Sequence, residues 1–265
     1  MRIKAHVTII SLIFTIVVLH AQSQLTGQLI QEKSIAATQV AGAEALATMT
    51  IIDGKGNERV RKLVQISKLY ENSKTEKKLI RFMAPADVKG TAFLTFDYRE
   101  ETDDKWLYLP ALRKTRRIVS SENAKSFMGS EFSYSDMTPP IIGDFTYTIL
   151  GEEEINGTLC WKIEITPKDD DIADEIGFSK KISYFGKHDY VIRKALYFDL
   201  DEELHKELTV YAIKELDTQN HKYRLMHMEM ENKQNGRKSI IQVDKVQFVP
   251  EIKNEYFTTR YLERE

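Results

Sequence analysis

TLCWKIEIT, residues 158–166, repeats with a period of two. Leu159, Trp161, Ile163 and Ile165 fall on one side, and Thr158, Lys162, Glu164 and Thr166 on the other. Successive side chains of a strand point to opposite faces, so this is the pattern of a strand with one face in a core. Cys160 stands on the polar side and reads as a small, half-buried residue.

The same grammar extends in both directions. Downstream, strands are expected at 191–198, 204–215, 222–231 and 238–249, with a turn at Lys233 to Gly236 before the last. Met226, Met228 and Met230 share one face of the 222–231 strand, either as ordinary core or as an adaptable cavity lining. Lys168 to Glu175 reads as a solvated acidic loop, and it lacks the glycine that a calcium loop needs at its turn. Upstream, Phe145, Tyr147 and Ile149 begin a strand. Ala45 to Ile51 and Val60 to Tyr70 flank the turn Asp53-Gly54-Lys55-Gly56-Asn57 as a hairpin. Further strands are expected at Lys77 to Met83, Thr91 to Tyr98, Trp106 to Leu109 and Lys114 to Val119. Gln24 to Gln39 reads as a short amphipathic helix with no clear cap. Short connections between successive strands argue an antiparallel meander. The expected fold is mainly β: a half-open antiparallel barrel, or strongly curved sheet of about a dozen strands, with short helices and loops covering the open end.

Residues 1–23 read as a secretory signal peptide. Arg2 and Lys4 precede an apolar run from Val7 to Leu19, and Ala21 or Ser23 offers a small residue for cleavage. The run is about 13 residues, against roughly 20 needed to span a bilayer, so no permanent membrane anchor is expected. Residues 24–265 are then a single exported domain. Net charge is −2 and both signs are dispersed, which gives no footprint for nucleic acid. With one cysteine, no intramolecular disulfide can form, and the fold must stand on packing.

One stretch breaks the pattern. WLYLPALRKTRRIVSSENAKSFMGSEFSYSDM, residues 106–137, starts as a strand that reads as buried on both faces. It passes through Arg113, Lys114, Arg116 and Arg117, then loses periodicity from Ser120 onward. Phe127, Met128, Phe132, Tyr134 and Met137 sit there among serines and carboxylates. Large apolar groups on irregular backbone must bury against something or meet a ligand. Trp106, Tyr108, Phe127, Met128, Phe132 and Tyr134, together with Met226 and Met228, are therefore the candidate ligand-cavity and lid residues. Arg116 and Arg117 are either solvated or stand at a cavity rim, where a guanidinium could hold a phosphate or carboxylate.

No catalytic layout is visible. Met128-Gly129-Ser130-Glu131 lacks the second glycine of a nucleophile elbow. His188, His205, His221 and His227 are scattered without metal-ligand spacing, so neither metal nor cofactor is expected.

The residues resemble a known family at several points. These are Ala84-Pro85-Ala86-Asp87-Val88-Lys89-Gly90-Thr91, Trp106 to Leu112, Arg116-Arg117-Ile118, Phe127 to Ser130 with Phe132-Ser133-Tyr134, Asp136-Met137, and the ending Phe257 to Glu263. Together they are similar to the outer-membrane lipoprotein-sorting proteins, a LolA-like group, over about residues 76–265. The resemblance implies a half-open barrel with helices across its mouth and an apolar cavity for lipid or acylated lipoprotein cargo. It also implies a periplasmic carrier without catalysis, exchanging cargo with an inner-membrane lipid exporter. Two other classes compete: an adaptor that binds a transporter subunit through its sheet surface, with a filled core, and a secreted lipid-acting hydrolase.

Overall fold

The computed structural model describes residues 25–70 and 74–264. The signal-peptide reading of residues 1–23 lies outside them. Thirteen antiparallel strands form one sheet among the described residues. They are β1 (Gly42–Ile52), β2 (Glu58–Tyr70), β3 (Thr75–Ala84), β4 (Ala92–Tyr98), β5 (Asp104–Leu109), β6 (Lys114–Ile118), β7 (Phe145–Ile155), β8 (Thr158–Pro167), β9 (Lys180–Gly186), β10 (Ile192–Phe198), β11 (Leu204–Asp217), β12 (Lys222–Asn232) and β13 (Lys238–Phe248). Three helices accompany them: α1 (Gly27–Thr38), α2 (Asp170–Ile176) and α3 (Thr259–Leu262).

The sheet order is β6-β5-β4-β3-β2-β1-β13-β12-β11-β10-β9-β8-β7. Every neighbour is next in sequence except β1 and β13, which pair from Ala43 opposite Phe248 to Ile52 opposite Lys238. Two meanders therefore meet at one seam, and the sheet ends at β6 and β7 without closing. This is the expected curved, half-open antiparallel architecture.

Alternation sends one set of side chains inward. Met49, Ile51, Leu63, Ile80, Phe82, Phe93 and Leu107 form the core of the first half, joined across the seam by Val243 of β13. Ile163, Ile165, Phe178 and Phe185 form that of the second, with Ile30 of α1 packed among them. The outer face of β3 to β5 is also buried. Leu79, Ala92 and Leu94 are covered by Ile252, Phe257 and Leu262 of the C-terminal segment.

Several local expectations change. The acidic run is α2 rather than a loop: Asp169 accepts from the Ile172 N–H at 2.9 Å, and Gly177 ends the helix in the left-handed region at φ 78°. β9 had no counterpart in the sequence reading. Helix α1 is capped after all, since Thr26 Oγ1 accepts from the Leu29 N–H at 3.1 Å. In β8 the alternation holds, but Leu159 at its start is 46% exposed and Trp161 is half-buried, whereas Cys160 is 0% exposed. At the start of β8 the expected sides are thus exchanged, the Cys160 side being covered and the Leu159 side open, and the apolar side is buried only from Ile163 onward.

Candidate functional site

Residues 119–144 connect the two edge strands, and they do so through the interior of the sheet. Phe127 to Ser130 makes a tight turn, closed by the Ser130 N–H donating to the Phe127 carbonyl at 3.0 Å. Met128 and Gly129 adopt φ of 54° and 77°. Glycine takes this backbone freely, whereas methionine at a left-handed position is strained and needs outside support. Arg61 supplies it by donating to the Met128 carbonyl. Arg237 Nε pairs with Glu131 at 2.8 Å, and Ser239 Oγ accepts from the Glu131 N–H at 2.9 Å. These contacts lie at the end of the sheet that carries the β1–β2 and β12–β13 turns, so the segment plugs that end.

Helix α1 crosses the opposite end. Lys222 Nζ donates to the Ala36 carbonyl at 2.7 Å, Arg99 reaches Gln39 at 2.7 Å, and Lys33 reaches the Tyr190 hydroxyl at 3.1 Å. The N-terminus of α1 sits so close to β7 that a Cβ on Gly27 would stand 2.9 Å from the Tyr147 carbonyl oxygen.

Between plug and helix lies a cavity of about 320 Å³. Its apolar wall comes from both meanders, with Met49, Leu63 and Ile80 on one side and Phe185, Met228, Ile241 and Val243 on the other. Phe127, Met137, Pro139 and Pro140 of the plug and Ile35 of α1 complete it. The wall is not uniformly apolar. Glu76, Lys78, Asp136, Lys181, Ser183 and Arg224 also line it. Lys78 Nζ donates to the Met137 carbonyl at 3.1 Å. Asp136 accepts from the Ser133 N–H and hydroxyl at 2.8 and 2.7 Å and from the Tyr197 hydroxyl at 3.2 Å.

The residues singled out in the sequence are distributed unevenly around this cavity. Phe127 and Met228 line it. Met128, Tyr134 and Met226 pack in the adjoining core of the first half. Phe132 is buried with Ala195, Leu208 and Met230 in a cluster behind Met228 and Ile241, and is not itself part of the lining. Trp106 and Tyr108 are corrected: they point to the outer face of β5, against the C-terminal segment. The strand is indeed buried on both faces, and its inward partner is Leu107. Arg116 and Arg117 are corrected too. Arg116 is held by Glu122 at 2.8 Å and Arg117 by Asp104, both on the accessible edge of the sheet and neither at the cavity. Cations that do reach the cavity, Lys78, Lys181 and Arg224, were not anticipated, because a charge in an alternating strand normally marks the solvent side.

Among the described residues no group of three or more His, Cys, Asp or Glu side chains is gathered as a metal site. No described helix is long and apolar enough to cross a membrane.

Residues 74–264 match a family model described as "Uncharacterized protein". A solved domain from Vibrio parahaemolyticus, described as an outer membrane lipoprotein-sorting protein, is 28% identical; the match covers 90% of this chain and 98% of that one, with a TM-score of 0.81. The chain belongs to the family of this model, and in fold it is similar to solved outer membrane lipoprotein-sorting and LolA superfamily proteins. A DUF1329 family protein from Desulfovibrio piger is equally near, at 28% identity and TM-score 0.81 over 89% of this chain and 97% of that one. A LolA superfamily protein from Nitrosomonas europaea shares the fold at 17% identity and TM-score 0.67, over 89% and 99% of the two chains. No curated protein matches by sequence. The LolA-like fold accounts for the open sheet.

Proposed function

We propose that this protein is a periplasmic carrier that holds a lipid or lipoprotein acyl chain in its interior cavity and passes it toward the outer membrane or to and from an inner-membrane lipid exporter. The observation that carries this reading is the cavity itself, walled by Met49, Leu63, Met228, Ile241 and Val243 from both meanders. A solid core would favour the adaptor reading, and a core with this hollow favours a ligand. Methionine and aliphatic side chains suit a chain of variable shape. Burying a 16-carbon chain at ~0.8 kcal/mol per CH₂ supplies on the order of 12 kcal/mol of gross driving force. Ordering and desolvation offset much of that, leaving reversible binding suited to transfer. No catalytic group is needed.

Native mass spectrometry of the protein purified from its host, followed by organic extraction, tests this directly. A lipid-sized adduct released by solvent is the expected result. Titration with a fluorescent acyl probe should saturate for the wild type and fail for Met228→Trp, whose indole occupies the hollow. Normal probe uptake by a folded Met228→Trp protein, or no adduct and no uptake by the wild type, sinks the carrier reading.

A further inference from the structure

Two cations face the cavity without an ion pair, Lys181 lying 5.3 and 5.5 Å from the ring centroids of Tyr197 and Phe178. Lys181 on β9 and Arg224 on β12 both line it, and neither makes an ion pair or a side-chain hydrogen bond among the described residues. Burial pushes both below their ordinary values, and the single opposing influence on each is one carboxylate, Asp136 for Lys181 and Glu76 for Arg224. Asp136 already accepts from the Ser133 N–H, the Ser133 hydroxyl and the Tyr197 hydroxyl. The third cation of the wall, Lys78, is engaged by the Met137 carbonyl. Ser183 lies two residues beyond Lys181 and so on the same face of β9. It is 0% exposed, lines the same cavity, and its hydroxyl has no partner.

An uncompensated charge inside a protein is costly, and apolar replacements of buried ionic groups are often stabilising. A wall built only to receive a hydrocarbon chain would place Met or Ile at these positions. Two half-buried cations without an ion pair, and an orphan buried hydroxyl beside them, instead match the needs of an anion delivered from outside. The hollow, at about 320 Å³, is at the small end of ligand sites, which suits a single chain with its headgroup.

Resting on the carrier reading above, we propose that the cargo is an anionic amphiphile, its carboxylate or phosphate neutralised inside the cavity by Lys181 and Arg224 with Ser183 as a neutral donor. The headgroup enters with the chain and does not remain at a rim.

Calorimetric titration with dodecanoate, dodecyl phosphate and dodecanol, which share one chain, separates the outcomes. Both anions, or one of them, should bind at least about tenfold more tightly than the alcohol, the scale of one charge-assisted hydrogen bond. The tighter anion identifies a carboxylate or a phosphate as the natural headgroup. Lys181→Met/Arg224→Met should lose that preference, keep its affinity for dodecanol, and melt at a higher temperature than the empty wild type. Equal binding of all three ligands by the wild type overturns the proposal while leaving a carrier, and it requires no variant to fold. A folded double variant that still prefers the anions removes these two residues from the role. Failure of all three ligands to bind defeats the carrier reading and this one with it.

Discussion

The Arg81 guanidinium donates to the Tyr261 carbonyl at 2.8 Å, and with its other nitrogen to the carbonyls of Leu262 at 3.3 Å and Arg264 at 2.8 Å. One side chain on the outer face of β3 thereby satisfies the exposed end of α3, whose last carbonyls have no partner within the helix. Arg81→Met should release the C-terminal segment from Leu79, Leu94 and Trp106 and cost roughly 2–4 kcal/mol. Equilibrium urea unfolding measures this. An unchanged midpoint would mean that apolar packing alone holds the segment.

Phe127 and Phe132 should behave differently, although both are buried in the plug. The Phe127 ring centroid lies 5.2 Å from that of Phe93 and, edge to face, 5.7 Å from that of Tyr134, and Phe127 touches the cavity. Phe127→Ala should cost about 3–5 kcal/mol, and Phe127→Asp with Phe132→Asp should abolish uptake of an acyl probe. Phe132→Leu should lower the melting temperature and leave uptake intact. Loss of uptake in folded Phe132→Leu would contradict the placement of the site.

Asp97 gives the protein a pH-dependent stability. Burial, with Asp103 and Glu76 close by, pushes its carboxyl up to about 7 from 3.8. The folded state then keeps a proton that the unfolded chain has released. Between those two values it binds more protons than the unfolded chain, so stability falls as pH rises and levels off above about 7. Asp97→Asn stays neutral throughout. It should be more stable than the wild type at pH 8 by on the order of a few kcal/mol, with the gap closing near pH 4. Chemical denaturation across this range checks the sign, and a gap that widens toward acid would refute it.

Cys160 is sealed in. It is 0% exposed, its thiol lies 3.3 Å from the Thr158 carbonyl, and burial pushes the thiol up from its ordinary value. A thiol-reactive dye should label it only after denaturation, and Cys160→Ser should cost about 1 kcal/mol from the buried hydroxyl with probe uptake unchanged. Rapid labelling of the native protein would contradict this burial.

Much of the sheet was legible because hairpins announce themselves locally. Asp53 to Asn57 fixes the β1–β2 turn, and the alternation around Met226 or Ile163 fixes a face. Element β9 was hidden because Lys181 and Ser183 put polar groups where an inward strand should be apolar. That is the same anomaly that marks the cavity wall. Helix α2 carried its signals openly, Asp169 before it and Gly177 after it, but its many carboxylates read as solvated coil. For Trp106 and Tyr108 the pattern declared burial on both sides, yet alternation alone cannot say which side is concave. That choice is made by Phe257 and Leu262, some 150 residues away. Arg116 and Arg117 took their partners, Glu122 and Asp104, from nearby chain, which left them nothing to offer a headgroup.

The single non-sequential pairing, β1 with β13, has a consequence for how the molecule is made. Eleven of its twelve strand pairs can zip as hairpins while synthesis proceeds. Strand β1, from Gly42 to Ile52, must wait for Lys238 to Phe248 to emerge before its second side is covered. Until then a nascent chain presents a long apolar strand, Ala45, Ala47, Met49 and Ile51, with its backbone groups unpaired on one side. Such an edge recruits any other strand within reach. The period between the appearance of β1 and the arrival of β13 is when this fold is most exposed to aggregation, and a chain truncated before Lys238 would remain in that condition permanently.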